Sequence, residues 1–371
     1  MRLALREMRR RPGRFALAGA ILTLIALLLL FLGGLLDGLL ATSTGAYRAQ
    51  QADLIVYAAD ARESLVRSRI TPDQRAAVEA VDGVGQVGGL GSLQLGARLG
   101  DEPDSRDLIS TVLFGYELAP EGLPATPPAR GEVIADTSLE HDGVKEGTVL
   151  LLGPQRSPVT VVGFVDDTRY AGQGSLWGSL DTWREVTTAN RPDKAVDGGV
   201  VQALVVQVDA STDTVADAIE AATDGSTDVL TIDAAIDALP GVSQQRTTFN
   251  QIIGVTVMVA LVVVALFFSL ITLERTPLYG VLKALGGSGS RLFVGVLVQA
   301  VVVTTAASVV AVAAGVALDA AIPPGALPFE LSPARAVISV VLLLLAAAIG
   351  SAFSLRRVLR VDPASAIGAG S

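Results

Sequence analysis

The chain has no cysteine and a single histidine, His141, among 371 residues. Without cysteine there is neither a disulfide framework nor a thiolate metal site. One histidine leaves no imidazole cluster for a metal and argues against a Ser-His-Asp triad; in its polar loop it reads as a solvated side chain. The sequence contains no Gly-x-x-x-x-Gly-Lys-Ser/Thr, so the chain cannot cradle nucleotide phosphates as a P-loop does. Gly286-Gly287-Ser288-Gly289 is rich in glycine but lacks the lysine and a preceding strand, and reads as a turn. Lysine is scarce, three against 25 arginines. The long apolar runs hold no ionisable residue; the charges Asp37, Glu274 and Asp319 fall only at their ends.

Apolar sequence is abundant. Half of the residues are hydrophobic, more than an ordinary soluble domain carries. Four runs approach or exceed the roughly 20 residues that cross a bilayer: 15–36, 252–273, 292–318 and 336–355. The first follows arginines and precedes small residues at 41–46, as a signal peptide would. It is longer than the roughly 7–15 apolar residues of a signal sequence, which favours a retained span. Gly34-x-x-x-Gly38 at its end is a spacing that lets helices approach.

Charge is segregated. Residues 1–14 carry a net +5, and Leu3, Leu5 and Met8 among the arginines suit a basic interfacial segment. The loop 274–291 and the tail 356–371 each carry +2, segment 319–335 carries −1, and residues 37–251 carry −17. The positive-inside rule then predicts both termini and loop 274–291 in the cytoplasm, with 37–251 and 319–335 outside. An acidic domain of that size argues against a nucleic-acid partner.

Residues 37–251 form an expected α+β domain of mixed strands. Strands are predicted at 53–57, 108–116, 148–152, 159–165 and 201–208, rich in Val and Leu. Thr71-Pro72-Asp73-Gln74 is a capping-box helix start, Ser211–Thr223 a capped helix, and Asp82-Gly83 and Gly88-Gly89 turns. Pro240-Gly241 breaks the chain before a stalk helix that runs from Ser243 into the second span. The pairs Asp166-Asp167 and Glu140 with Asp142 read as solvated acidic surface in preference to a cation site.

The segment between the second and third spans is the most informative. Pro277 suits a first helical turn, the pattern is then apolar with one cation, Lys283, and Gly286-Gly287 terminates it. A short helix at the membrane face is expected, framed by Glu274, Arg275 and Arg291. Glu274-Arg275-Thr276 followed by Gly280-Val281-Leu282-Lys283-Ala284-Leu285-Gly286 resembles the loop after the second span in ABC-transporter permeases of the MacB/FtsX type. The family usually carries an acidic residue where this chain has Leu278, and rarely a proline at Pro277. Residues 131–136, 143–150 and 159–164 resemble the outer domain of MacB-type permeases. Val361-Asp362-Pro363-Ala364-Ser365-Ala366-Ile367 resembles the family's terminal signature. Within that family, Gly13-Arg14-Phe15, 52–57 and 64–68 are most similar to compact DevC-like and haem-exporter-like permeases.

The resemblance implies a membrane α-helical fold of four transmembrane helices plus an α+β extracytoplasmic domain, in a bacterial cell membrane. It implies a non-catalytic permease that binds no cofactor itself. Two copies of a separate ATPase, which holds ATP and magnesium, would dock on two copies of the permease. Glu274, Arg275, Pro277, Tyr279, Lys283, Leu285 and Arg291 are then the residues of ATPase coupling. The substrate is expected to be hydrophobic or amphipathic, with haem a candidate; Tyr47, Tyr170, Phe249 and Met258 are the side chains that could meet it. FtsX-like members that act as mechanical transmitters to a cell-wall enzyme are the rival reading.

Overall fold

The computed structural model describes residues 12–103, 106–196, 198–274, 289–322 and 327–358. The chain divides into two compact units, residues 39–244 and residues 1–38 with 245–371.

The second of these is helical. It contains most of α1 (Pro12–Arg48) and α6 (Val242–Glu274), and all of α7 (Gly289–Ala321) and α8 (Pro333–Val358). These four helices are long and apolar enough to cross a membrane. They pack through Leu22, Leu29 and Leu30 of α1, Ala260, Val264 and Phe268 of α6, Ala300, Val303, Ala307 and Ala311 of α7, and Leu343, Ala346 and Ala347 of α8. The alanines are the means of close approach where lipid supplies no hydrophobic drive. Gly350 serves the same purpose: a Cβ there would stand 2.7 Å from the Leu261 carbonyl oxygen.

The other unit is α+β. Its strands are β1 (Leu54–Ala58), β2 (Val84–Leu99), β3 (Ile109–Tyr116), β4 (Glu132–Asp136), β5 (Val149–Leu152), β6 (Ser157–Val165), β7 (Gly174–Ser179), β8 (Ala203–Val208) and β9 (Thr227–Thr231). Its helices are α2 (Pro72–Glu79), α3 (Leu180–Asn190), α4 (Thr212–Ala222) and α5 (Ile232–Ala238). The sheet runs β3-β7-β4-β6-β5-β2-β8-β1-β9, and β3 also pairs with β2. Six strands therefore close into a ring, and β8, β1 and β9 extend from the first half of β2. Most ladders are antiparallel; β3–β7 and β4–β6 are parallel.

Both faces of the central strands are covered, which explains the unbroken apolar run Leu54-Ile55-Val56-Tyr57. Leu54, Val56, Leu113, Leu204 and Val206 enter one core cluster. Ile55, Tyr57, Val112, Phe114, Ala203 and Val205 enter the other, as the two-residue period of a strand requires. Several local expectations hold. Thr71 and Gln74 form the reciprocal capping box. The predicted strands agree with β1, β3, β5, β6 and β8 to within one or two residues.

Three readings are corrected. Gly88-Gly89 is not a turn but lies inside β2. A Cβ on Gly88 would meet Leu118 at 2.5 Å, and one on Gly91 would meet the Trp183 ring at 2.5 Å, so these glycines admit close neighbours to a strand. Ser211 precedes α4 but makes no side-chain capping bond. The first apolar helix does not stop at Leu36; α1 continues through the small residues to Arg48. Strands β2, β7 and β9 and helices α3 and α5 went unpredicted.

Candidate functional site

The coupling residues Arg275, Pro277, Tyr279, Lys283 and Leu285 lie outside the described residues, as do the basic segment 1–11 and the terminal signature. Glu274 is the last residue of α6 and is exposed. Arg291 falls in the first turn of α7, and its side chain lies outside the description.

Of the four residues considered for substrate, the fold brings two together. Tyr47, on the final turns of α1, stacks on Tyr170, with ring centroids 5.7 Å apart and planes inclined by 13°. Phe114 stands edge-on to Tyr170 at 5.5 Å and stacks on Trp177 at 4.5 Å. The Tyr57 hydroxyl donates to the Tyr47 hydroxyl at 3.0 Å. Tyr47 is 1% exposed and Tyr170 7%. Burial pushes the Tyr57 and Tyr170 phenols above their ordinary value, and the neighbouring phenol acts less strongly. A phenol held protonated and enclosed is poorly suited to ligating iron, which takes tyrosine as the phenolate. These rings are core. Phe249 is half-buried and Met258 is 65% exposed, both on α6.

What the tyrosines hold is the end of α1. The segment 166–173, between β6 and β7, receives it. Ala46 N–H donates to Arg169 O at 3.1 Å, Ala171 N–H to Ser43 O at 3.0 Å, and Gly172 N–H to Thr42 O at 2.9 Å. Gly45 permits the approach, because a Cβ there would stand 2.5 Å from Asp167 O. Arg48 pairs with Asp167 at 2.7 Å. Beneath the segment, Asp136, 1% exposed, accepts from Thr168 N–H at 2.8 Å, Thr168 Oγ1 at 2.9 Å and Ser138 N–H at 3.0 Å. Thr168 contacts Ser175 Oγ at 2.7 Å, which accepts from Trp177 Nε1 at 2.8 Å. This network was not foreseen; Asp136 drew notice only as the end of a strand motif. The Asp166-Asp167 pair is likewise engaged one residue at a time. Asp167 meets Arg48 and Asp166 accepts from Thr137 at 2.7 Å, and no metal-binding group of carboxylates occurs among the described residues.

A second construction lies within the helical unit, where the charge at Asp37 finds its partner. Arg335 Nε donates to Asp37 Oδ2 at 3.0 Å and its Nη2 to Oδ1. Ser332 Oγ stands 3.3 Å from Asp37 Oδ2. The glycines of α1 make room for this segment. A Cβ on Gly34 would meet the Phe329 ring at 2.5 Å, one on Gly33 would strike the Arg335 stem, and one on Gly38 the Pro328 carbonyl. Phe329 stacks on Phe31 at 5.7 Å. The Gly34-x-x-x-Gly38 spacing thus receives the segment that leads into α8, not a second helix.

Two further features were missed. Gln299, Thr304 and Ser308 of α7 are all at most 3% exposed, neutral polar groups inside the bundle. And α6 is the least covered of the four helices, with 22% of its most apolar window buried against 33% for the others. Its outward face carries Val255, Val259, Val262, Leu266, Leu270 and Leu273, each at least 47% exposed.

Comparison with known proteins supplies the family. Residues 250–363 match the FtsX-like permease C-terminal family. A protein of Staphylococcus haemolyticus that bears the name hemin transport system permease protein HrtB is 23% identical over 99% of both chains. One of the same name from Staphylococcus epidermidis is 24% identical over 38% of this chain and 40% of its own. Among solved structures, the periplasmic region of MacB from Actinobacillus actinomycetemcomitans overlays 50% of this chain and 90% of its own, at 12% identity and a TM-score of 0.36. The extracellular domain of the transporter YknZ from Gram-positive bacteria overlays 48% of this chain and 98% of its own, at 14% identity and a TM-score of 0.32. The chain is a multi-pass membrane protein with four spans and an FtsX-like permease domain at residues 250–363, a permease subunit of the ABC-transporter class.

Proposed function

We propose that this permease serves an ABC exporter that extrudes a hydrophobic or amphipathic substrate, with haem the leading candidate. The observation that carries the proposal is the similarity, along the whole chain, to a protein named for hemin transport. Two copies of a separate ATPase bind nucleotide, because this chain has no P-loop. They dock at Glu274, Arg275, Pro277, Tyr279, Lys283, Leu285 and Arg291. Both termini and that loop are cytoplasmic and the α+β domain is outside, as the charge segregation favours.

Two copies of the permease pair in the membrane. The apolar face that α6 leaves open within this chain is available for that pairing. Substrate passes along α6 near Phe249 and Met258. Tyr47 and Tyr170 contribute indirectly, by fixing the end of α1 to the segment 166–173. The absence of ionisable residues inside the spans suits a route from the membrane or its outer face, since polar paths across a bilayer usually carry some.

The test is ATP hydrolysis by the permease and its ATPase reconstituted in lipid and titrated with haem and other amphiphiles. Stimulation by one ligand, abolished by Arg275→Glu with Lys283→Glu, is the expected result. A complex that hydrolyses ATP but ignores every ligand would favour the mechanical transmitter acting on a cell-wall enzyme. No complex at all would remove the docking assignment.

A further inference from the structure

A narrow cleft of about 100 Å³ opens on the α+β unit beside β2 and the end of α3. That is room for about three waters or one small polar group. Its polar lining is not self-sufficient. Gln202, 3% exposed, accepts at Oε1 from Ser92 N–H at 2.6 Å and Ser92 Oγ at 3.1 Å. The main-chain donor fixes the orientation of the amide, and Nε2 has no acceptor among the described residues. Thr187, 2% exposed, also lines the cleft, and its hydroxyl has no partner. One turn earlier on α3, Trp183 Nε1 is buried and unpartnered too. Buried polar atoms are nearly always satisfied, so the buried Thr187 hydroxyl, with Gln202 Nε2 beside it free of any acceptor among the described residues, points to something that fills the cleft.

The charge there selects the filler. Arg191 and Lys194 line the cleft and no carboxylate does, although the domain around it is strongly acidic. Neither cation forms an ion pair with a described residue. Asp193 lies between them in sequence but is exposed and not part of the lining. Near the end of α3, Val186 O accepts from Asn190 Nδ2 at 3.0 Å and Thr187 O from Arg191 N–H at 2.7 Å. Beside the donors stand Leu93 and the exposed Val66, an apolar border.

We propose that this cleft binds the carboxylate of an amphipathic molecule. Gln202 Nε2 and Thr187 Oγ1 donate to the oxygens, Arg191 and Lys194 neutralise them, and Val66 and Leu93 meet the start of the apolar tail. The proposal goes beyond the permease reading and does not depend on it.

The test uses the full chain in nanodiscs of neutral phosphatidylcholine. The chain has two tryptophans, and Trp183 lies one turn from Thr187, so intrinsic fluorescence reports the cleft. Hexanoate should give a saturable change at constant ionic strength, and hexanol and chloride should not. Arg191→Gln with Lys194→Gln, at two positions outside the core, should weaken binding about 10-fold or more for each cation removed. Thr187→Val should weaken hexanoate binding while raising the melting temperature of the unliganded protein, because it removes an unpartnered buried hydroxyl. Equal affinity in the double variant, or the same response to chloride, overturns the proposal. Saturation by inorganic phosphate without saturation by hexanoate overturns the choice of an amphiphile.

Discussion

Removing either partner of the Asp37–Arg335 pair should cost more than a surface ion pair would. Both side chains are 21% exposed, and two guanidinium N–H groups and a serine hydroxyl converge on the two carboxylate oxygens. An exposed pair contributes about 0–1 kcal/mol. Stranding one partner of a fully buried pair costs about 3–5 kcal/mol. With a fifth of each side chain reaching solvent, the figure for Asp37→Asn or Arg335→Gln should fall to about 2–3 kcal/mol. The double variant should lose little more than either single one, because each single change already leaves the other group without its partner. The coupling in a double-mutant cycle should therefore be about 2 kcal/mol. Unfolding of the purified membrane protein, followed by a cysteine-reactive dye, is a convenient assay. The chain has no cysteine, so one introduced at a buried alanine of the bundle such as Ala307 is the only thiol reporting. Additive losses, with coupling below about 0.5 kcal/mol, would refute the argument and make the two residues independent surface charges.

Further expectations follow from the same geometry. Asp136→Ala should destabilise the α+β domain by about 3 kcal/mol, lowering its melting temperature by roughly 6–12 °C, because Thr168 N–H and its hydroxyl stay buried without their acceptor. Circular dichroism of the full chain against Asp136→Asn, which keeps one acceptor, would measure it; equal loss in both variants would contradict the account. Gly38→Leu should disrupt the segment 327–335 while Gly13→Leu, at a position with no neighbour within 4 Å, leaves thermal stability unchanged. The pH dependence has a definite sign. Burial raises the Tyr116 phenol from 10.0 to about 12 and lifts Tyr57 and Tyr170 as well. Their contribution to stability is intact below pH 10 and falls as pH rises through the folded-state values, since the unfolded chain releases those protons first. A titration at the phenolate absorption band should show late tyrosine ionisation that coincides with unfolding; early, independent ionisation would contradict the burial.

The sequence by itself determined what depends on local pattern. Long apolar runs bounded by arginine specify spans because the bilayer imposes a length and a charge rule. Thr71-Pro72-Asp73-Gln74 specifies a helix start because its bonds close within four residues, and the structure forms them. Val- and Leu-rich stretches specify strands β1, β3, β5, β6 and β8. The sequence also carried the family, through the loop and tail motifs. The tertiary structure alone decided what depends on partners distant in the chain. Asp37 and Arg335 are 298 residues apart, and neither neighbourhood names the other. Gly34-x-x-x-Gly38 reads as a helix contact because the motif records only that space is needed, not what fills it. Gly88-Gly89 reads as a turn because the purpose of the two glycines is the room taken by Leu118 and Val201. Tyr47 and Tyr170 looked like ligands near a membrane face. Only the closing of α1 onto the segment 166–173 made them core, since burial is a property of the assembled chain and not of a residue type.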